Sequence, residues 1–105
     1  MDKIQLPSCP LCKLFLQPKE SIKTKLYYPS RIEDLKNVNF CIIECEDCKI
    51  PMVVSAEHLD YISDDIWRNS NYQCRKLFGR NVDFRTKQNK LHDHSHYHVI
   101  FPNGY

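Results

Sequence analysis

Apolar residues fall in short clusters along this chain, and their spacing changes between strand-like and helical rhythm. Residues 7–20 carry Pro7, Pro10 and Pro18 around a brief apolar stretch from Leu14 to Leu16, and read as irregular. Residues 23–28 read as a strand closed by Pro29. Ser30-Arg31-Ile32-Glu33 has capping-box spacing and predicts a short helix through about Lys36. Residues 38–44 and 50–55 are mostly apolar and of strand length. Cys45-Glu46-Asp47-Cys48 joins them, which reads as an antiparallel hairpin with a cysteine-bearing turn. A longer helix follows. Ser63 can cap it, Asp64 and Asp65 suit its positive end, and Gly79 can stop it. Ile66, Cys74, Leu77 and Phe78, with Trp67 beside them, fall on one broad face. Residues 81–86 and 94–101 read as two further strands around a polar turn at 87–90. The expected architecture is one α+β domain over residues 1–105, with an antiparallel sheet of about five strands and one main helix.

Composition narrows the function classes. A chain of 105 residues has room for one core, and 42% apolar with 27% charged residues is ordinary for a globular domain. A net charge of +2 leaves no electrostatic footprint for nucleic acid or an anionic membrane. Gly79 and Gly104 are the only glycines, so no Gly-rich loop can cradle a phosphate, and no G-x-S-x-G nucleophile elbow occurs. The longest apolar runs, at 40–43 and 51–54, are far short of the roughly 18 residues of a membrane span. Met1-Asp2-Lys3 leads into no signal-peptide core, so a cytoplasmic protein is expected. There, paired cysteines more often hold metal than form disulfides.

Four of the six cysteines are paired. Cys9-Pro10-Leu11-Cys12 and Cys45-Glu46-Asp47-Cys48 are two C-x-x-C knuckles. Two thiolates three positions apart on a tight turn can reach one ion, and two such turns complete a tetrahedral sulfur shell, most often for Zn²⁺. One structural zinc held by Cys9, Cys12, Cys45 and Cys48 is therefore the expected site. Ordinary buried cysteines, a redox pair and a mixed Cys/His site are the competing readings. Cys41 and Cys74 stand singly within apolar patterns and read as packing residues.

His92, His94, His96 and His98 occupy every second position near the end of the chain. On a strand all four rings would share one face, about 6.5–7 Å apart. Adjacent imidazoles depress one another's charging, and a neutral imidazole is a nucleophile, a base and a metal ligand. Three readings compete: a structural row, a second metal site, and phosphate chemistry through a histidine nucleophile.

His94-Ser95-His96-Tyr97-His98-Val99-Ile100 resembles the histidine-triad signature of the HIT superfamily of nucleotide hydrolases and transferases. Cys9-Pro10-Leu11-Cys12 stands where many of those proteins carry a C-x-x-C. Residues 40–44, then Ile50-Pro51-Met52-Val53-Val54 and His58, look like that family's central hairpin. Cys45, Cys48 and the following Pro51-Met52-Val53-Val54, with Asp93-His94-x-His96-x-His98, look like a small zinc-bearing branch of it. The resemblance implies a HIT-like fold and a nucleotide or nucleoside phosphate ligand. In that reading His96 attacks an α-phosphate, while His94 and His98 orient it and bind phosphoryl oxygens. Arg85, Lys87 or Lys90 would supply positive charge. The resemblance is also compatible with a homodimer. In some HIT proteins zinc is held by the N-terminal cysteines with two histidines, which here would be His58 and His94. Four features depart from the family: Ser95 stands at a usually apolar position, the small residues that commonly precede the triad are absent, the turn over residues 87–93 is short, and the helix is shorter than usual. The contrasting reading is a non-catalytic zinc domain for partner binding, whose histidine strand is structural or binds a second metal.

Overall fold

The computed structural model describes residues 4–86 and 94–101. Five strands form one antiparallel sheet: β1 (Leu26–Tyr28), β2 (Phe40–Glu44), β3 (Pro51–Ser55), β4 (Asp83–Arg85) and β5 (His96–Ile100), in the order β1-β2-β3-β5-β4. The central hairpin pairs Phe40 with Ser55, Cys41 with Val54 and Ile43 with Met52. Its turn closes through Cys45 N–H to the Ile50 carbonyl at 2.8 Å and Lys49 N–H to the Cys45 carbonyl at 2.9 Å. Lys49 itself sits at φ 65°.

Both faces of the sheet are covered, which explains why β2 and β3 read as nearly continuous apolar runs. Alternate residues of each strand face opposite layers. Phe40, Ile42, Val53, Tyr97 and Val99 pack with Cys74 of helix α3 (Asp64–Phe78) and with Val82. Cys41, Ile43, Met52 and Val54 pack with Leu11, Cys12, Leu14 and Phe15 of helix α1 (Pro10–Leu16) and with Leu35 of a 3-10 turn, Ile32–Asn37.

The α1 segment corrects the sequence reading. Residues expected to be irregular form α1 and a single helical turn, α2 (Pro18–Ser21). Pro10 and Pro18 occupy the first turns of these helices, where a missing N–H costs nothing and the fixed φ is already helical. The Ser30 capping box does not form either; Arg31 precedes the 3-10 turn without a side-chain cap. Helix α3 has the expected ends. Ser63 Oγ accepts from Ile66 N–H at 3.3 Å, and Gly79 ends the helix at φ 107°. Its buried stripe is Ser70, Asn71 and Cys74, flanked by the partly buried Ile66 and Phe78, whereas Leu77 is exposed. Among the described residues no helix is long and apolar enough to cross a membrane.

Candidate metal centres

The hairpin and β5 set the geometry of the site. Strand β3 runs from the Cys45–Cys48 turn to Ser55, and His58 follows three residues later. Strand β5 runs antiparallel to it, with His96 opposite Val54 and His98 opposite Met52. Histidines at alternate positions therefore walk along one face, from the His58 end toward the cysteine turn. At about 3.3 Å per residue, His94 and His98 stand about 13 Å apart along the chain.

At the His58 end, Cys9, Cys12, His58 and His94 bring one ligand atom each to within 4.8 Å of one another. Cys9 immediately precedes α1, which carries Cys12 one turn on. The Cys9 and Cys12 sulfurs each lie 3.4 Å from His94 Nδ1, Cys12 Sγ lies 3.5 Å from His58 Nδ1, and the two Nδ1 atoms are 3.3 Å apart. Zinc bonds of about 2.3 Å to sulfur and about 2.0–2.1 Å to nitrogen, at a tetrahedral angle, separate S and N by about 3.5 Å and N and N by about 3.3 Å. These four distances match those separations and all four donors lie within 4.8 Å of one another, so the set could hold a metal ion and is compatible with zinc.

The surroundings prepare each donor. His94 is fully buried, and its Nε2–H donates to the Ser55 carbonyl at 2.7 Å, which leaves the lone pair on Nδ1, facing the sulfurs. Leu6 N–H donates to Cys12 Sγ at 3.3 Å. The loop carrying His58 is tied down by His58 N–H to the Ile4 carbonyl at 2.7 Å and by Ser95 N–H to the Leu59 carbonyl at 2.6 Å.

The second knuckle lies at the other end of the strand. Cys45 and Cys48 cluster with His98 within the same 4.8 Å limit. The four-sulfur shell of Cys9, Cys12, Cys45 and Cys48 is thus not assembled: the length of β3 separates the turn holding Cys45 and Cys48 from the end of the sheet where α1 begins. None of the six cysteines is disulfide-bonded. Cys41 and Cys74 are buried packing residues, and burial pushes the Cys74 thiol up to about 12 and the Cys41 thiol higher still.

His96 sits between the two clusters, its ring centroid 5.9 Å from that of His98. Its Nδ1–H donates to the His94 carbonyl at 2.9 Å, so the lone pair of the neutral ring is on Nε2. A cavity of about 440 Å³ reaches this face; Leu11, Leu14 and Met52 line it together with Arg85, His96 and His98. Burial, then the charges of Arg85 and His96, lowers the His98 ring to about 4. The three triad positions thus occupy three settings: His94 in the first cluster, His96 between the clusters, His98 in the second. Lys87, Lys90 and His92 lie outside the described residues. The role of His98 beside Cys45 and Cys48 was not read from the sequence. Its only signal there was the alternation of histidines on a strand antiparallel to the one that follows the cysteine turn.

Fold and site define the class: an α+β domain with a cluster of cysteines and histidines that could bind a metal ion. Comparison with protein families, curated proteins and solved structures finds no match.

Proposed function

We propose that the chain is a HIT-like nucleotide hydrolase or nucleotidyl transferase, with His96 as nucleophile and a structural zinc on Cys9, Cys12, His58 and His94. The observation that carries this reading is the His96 ring. Its Nδ1–H is held by the His94 carbonyl, which directs the nucleophilic lone pair to Nε2, and the ring lines a cavity of ligand size whose wall carries apolar side chains, Lys23 and Arg85, and the acidic Glu44, Glu46 and Asp47. The step is a displacement at phosphorus. The Nε2 lone pair forms the N–P bond as the bond from phosphorus to the leaving atom breaks, an oxygen in a dinucleoside polyphosphate or the nitrogen in a phosphoramidate, and that atom leaves with a proton from solvent. Water then adds to phosphorus and releases a proton to solvent as the N–P bond breaks, and the neutral ring returns. Arg85 in the cavity wall would stabilise charge on the phosphoryl oxygens. Zinc would supply a fixed cross-link that holds the N-terminal segment and α1 to the His94 end of the sheet. A cytoplasmic setting, which keeps thiols reduced, suits such a centre.

The test is hydrolysis of a panel of adenylyl phosphoramidate and dinucleoside polyphosphate substrates by wild type and His96→Ala, with melting curves on both. Loss of a covalent nucleophile should lower turnover by several orders of magnitude with the fold retained. A wild-type protein that neither cleaves nor binds any of them overturns the enzyme reading. One observation favours the second reading, a non-catalytic zinc domain: His98 stands with Cys45 and Cys48 in a cluster of its own.

A further inference from the structure

The Cys45–Cys48 turn is not needed for the first centre, whose four donors come from elsewhere. What remains is a C-x-x-C pair and one imidazole, gathered within 4.8 Å; among the described residues no carboxylate joins them, although Glu44, Glu46 and Asp47 line the same cavity. Two sulfurs and one nitrogen are three-quarters of a tetrahedral shell. Structural zinc sites close the shell with a fourth protein ligand, whereas sites that act on ligands keep that position for water or substrate.

Three further observations point to an ion here. The His98 Nδ1 atom is buried and finds no hydrogen-bond partner, an arrangement that is costly unless something outside the chain satisfies it. The local charge suits a cation, since Glu46 and Asp47 lie within the turn itself and Glu44 precedes it. All three donors line the cavity of about 440 Å³ that His96 also lines. That cavity carries Lys23, Thr24 and Arg85 as well as apolar walls.

We infer that Cys45, Cys48 and His98 form a second, open metal site, whose fourth position takes an anionic oxygen ligand of the phosphate class bound in this cavity. The assignment of phosphate rests on the nucleotide reading above; the site itself does not. It gives His98 a different task from the one the triad resemblance implies. Rather than contacting a phosphoryl oxygen, the ring would hold the ion that does so, one strand position pair away from His96.

Metal content and spectroscopy test this without any turnover assay. Wild-type protein purified under reducing conditions and saturated with Zn²⁺ or Co²⁺ should carry two ions per chain by native mass spectrometry. Cys48→Ser, at an exposed turn position, should carry one and keep its circular dichroism; His98→Gln should do the same. In the Co²⁺-loaded protein, inorganic phosphate should shift the visible bands in wild type and leave those of Cys48→Ser unchanged. One ion per chain in wild type overturns the site. So does a mass about 2 Da low from a Cys45–Cys48 disulfide formed in preference to metal. Two ions with bands insensitive to phosphate overturn the open position. Two ions with phosphate-sensitive bands but no nucleotide turnover support the site while sinking the enzyme reading.

Discussion

The two faces of the sheet settle their polar groups in opposite ways. On the α3 side the largest buried polar side chain meets other groups of the chain. The Tyr97 hydroxyl, fully buried, is hydrogen-bonded to Ser70 Oγ and accepts from Asn71 Nδ2 at 3.1 Å. Rings close round it: Trp67 at 5.0 Å and Phe84 at 5.4 Å between centroids. Burial pushes the Tyr97 phenol up, so it stays protonated and a donor. On the α1 side, sulfur and imidazole groups converge in a four and a three, each of which could hold a metal ion. The same strand, β5, serves both: Tyr97 and Val99 point to one layer, His96 and His98 to the other. One face is a core that stands on its own chain. The other is a core whose sulfur and imidazole groups could share a metal ion.

Chelation should expose that difference most strongly. Removing metal takes the shared bond from Cys9, Cys12, His58 and His94, and with so short a chain the melting temperature should fall by about 20 °C or more. Hydrogen exchange should show α1 and its preceding residues opening first, with the amides of α3 protected longest. Equal loss of protection on both faces, or none, breaks the contrast.

Alkaline pH should act from the other side. The Cys74 thiol, raised by burial from an ordinary value of 9.0 to about 12, keeps its proton in the fold longer than in the unfolded chain. The unfolded state therefore loses its proton first, and this contribution to stability is intact below pH 9 and lost as the pH rises toward 12. Between about pH 8 and 11 that amounts to about 2–3 kcal/mol, an upper figure for a single thiol. Urea titrations should show a smaller fall over this range in Cys74→Ala than in wild type, with metal content equal in the two. An equal fall in both proteins removes Cys74 from the account.

Tyr97→Phe should have the smallest effect. Ser70 Oγ and Asn71 Nδ2 keep bonds to the carbonyls of Ile66 and Trp67, so the loss is about 1 kcal/mol rather than the cost of stranded groups. Metal content should not change. A variant that loses metal would show that the α3 layer helps to form the clusters.

Much of the backbone could be read directly from the residues, because local rules decide it. Ser63, Asp64 and Gly79 bound α3 through capping and helix polarity, and the apolar runs on either side of Cys45–Cys48 announce a hairpin. Alternation also put His94, His96 and His98 on one face. The prolines misled at residues 10–21, where Pro at a helix start looks the same in sequence as Pro in a loop. Ser70 and Asn71 were not identified as buried, because their partner is a tyrosine on a strand more than 25 residues away.

What the sequence determined by itself was the set of donors: two C-x-x-C pairs, His58 and a row of alternate histidines, each competent for metal by its chemistry and local spacing. Which donors share a point was decided only by the tertiary structure. Spacing constrains Cys9 relative to Cys12 and Cys45 relative to Cys48, but carries no information on the distance between the pairs. That distance follows from the register of β3 against β5, which brings His94 to the end of the sheet near Cys9 and Cys12 and His98 to the end near the turn. Symmetry of motif suggested four sulfurs round one ion. The length of a five-residue strand separates them into two clusters.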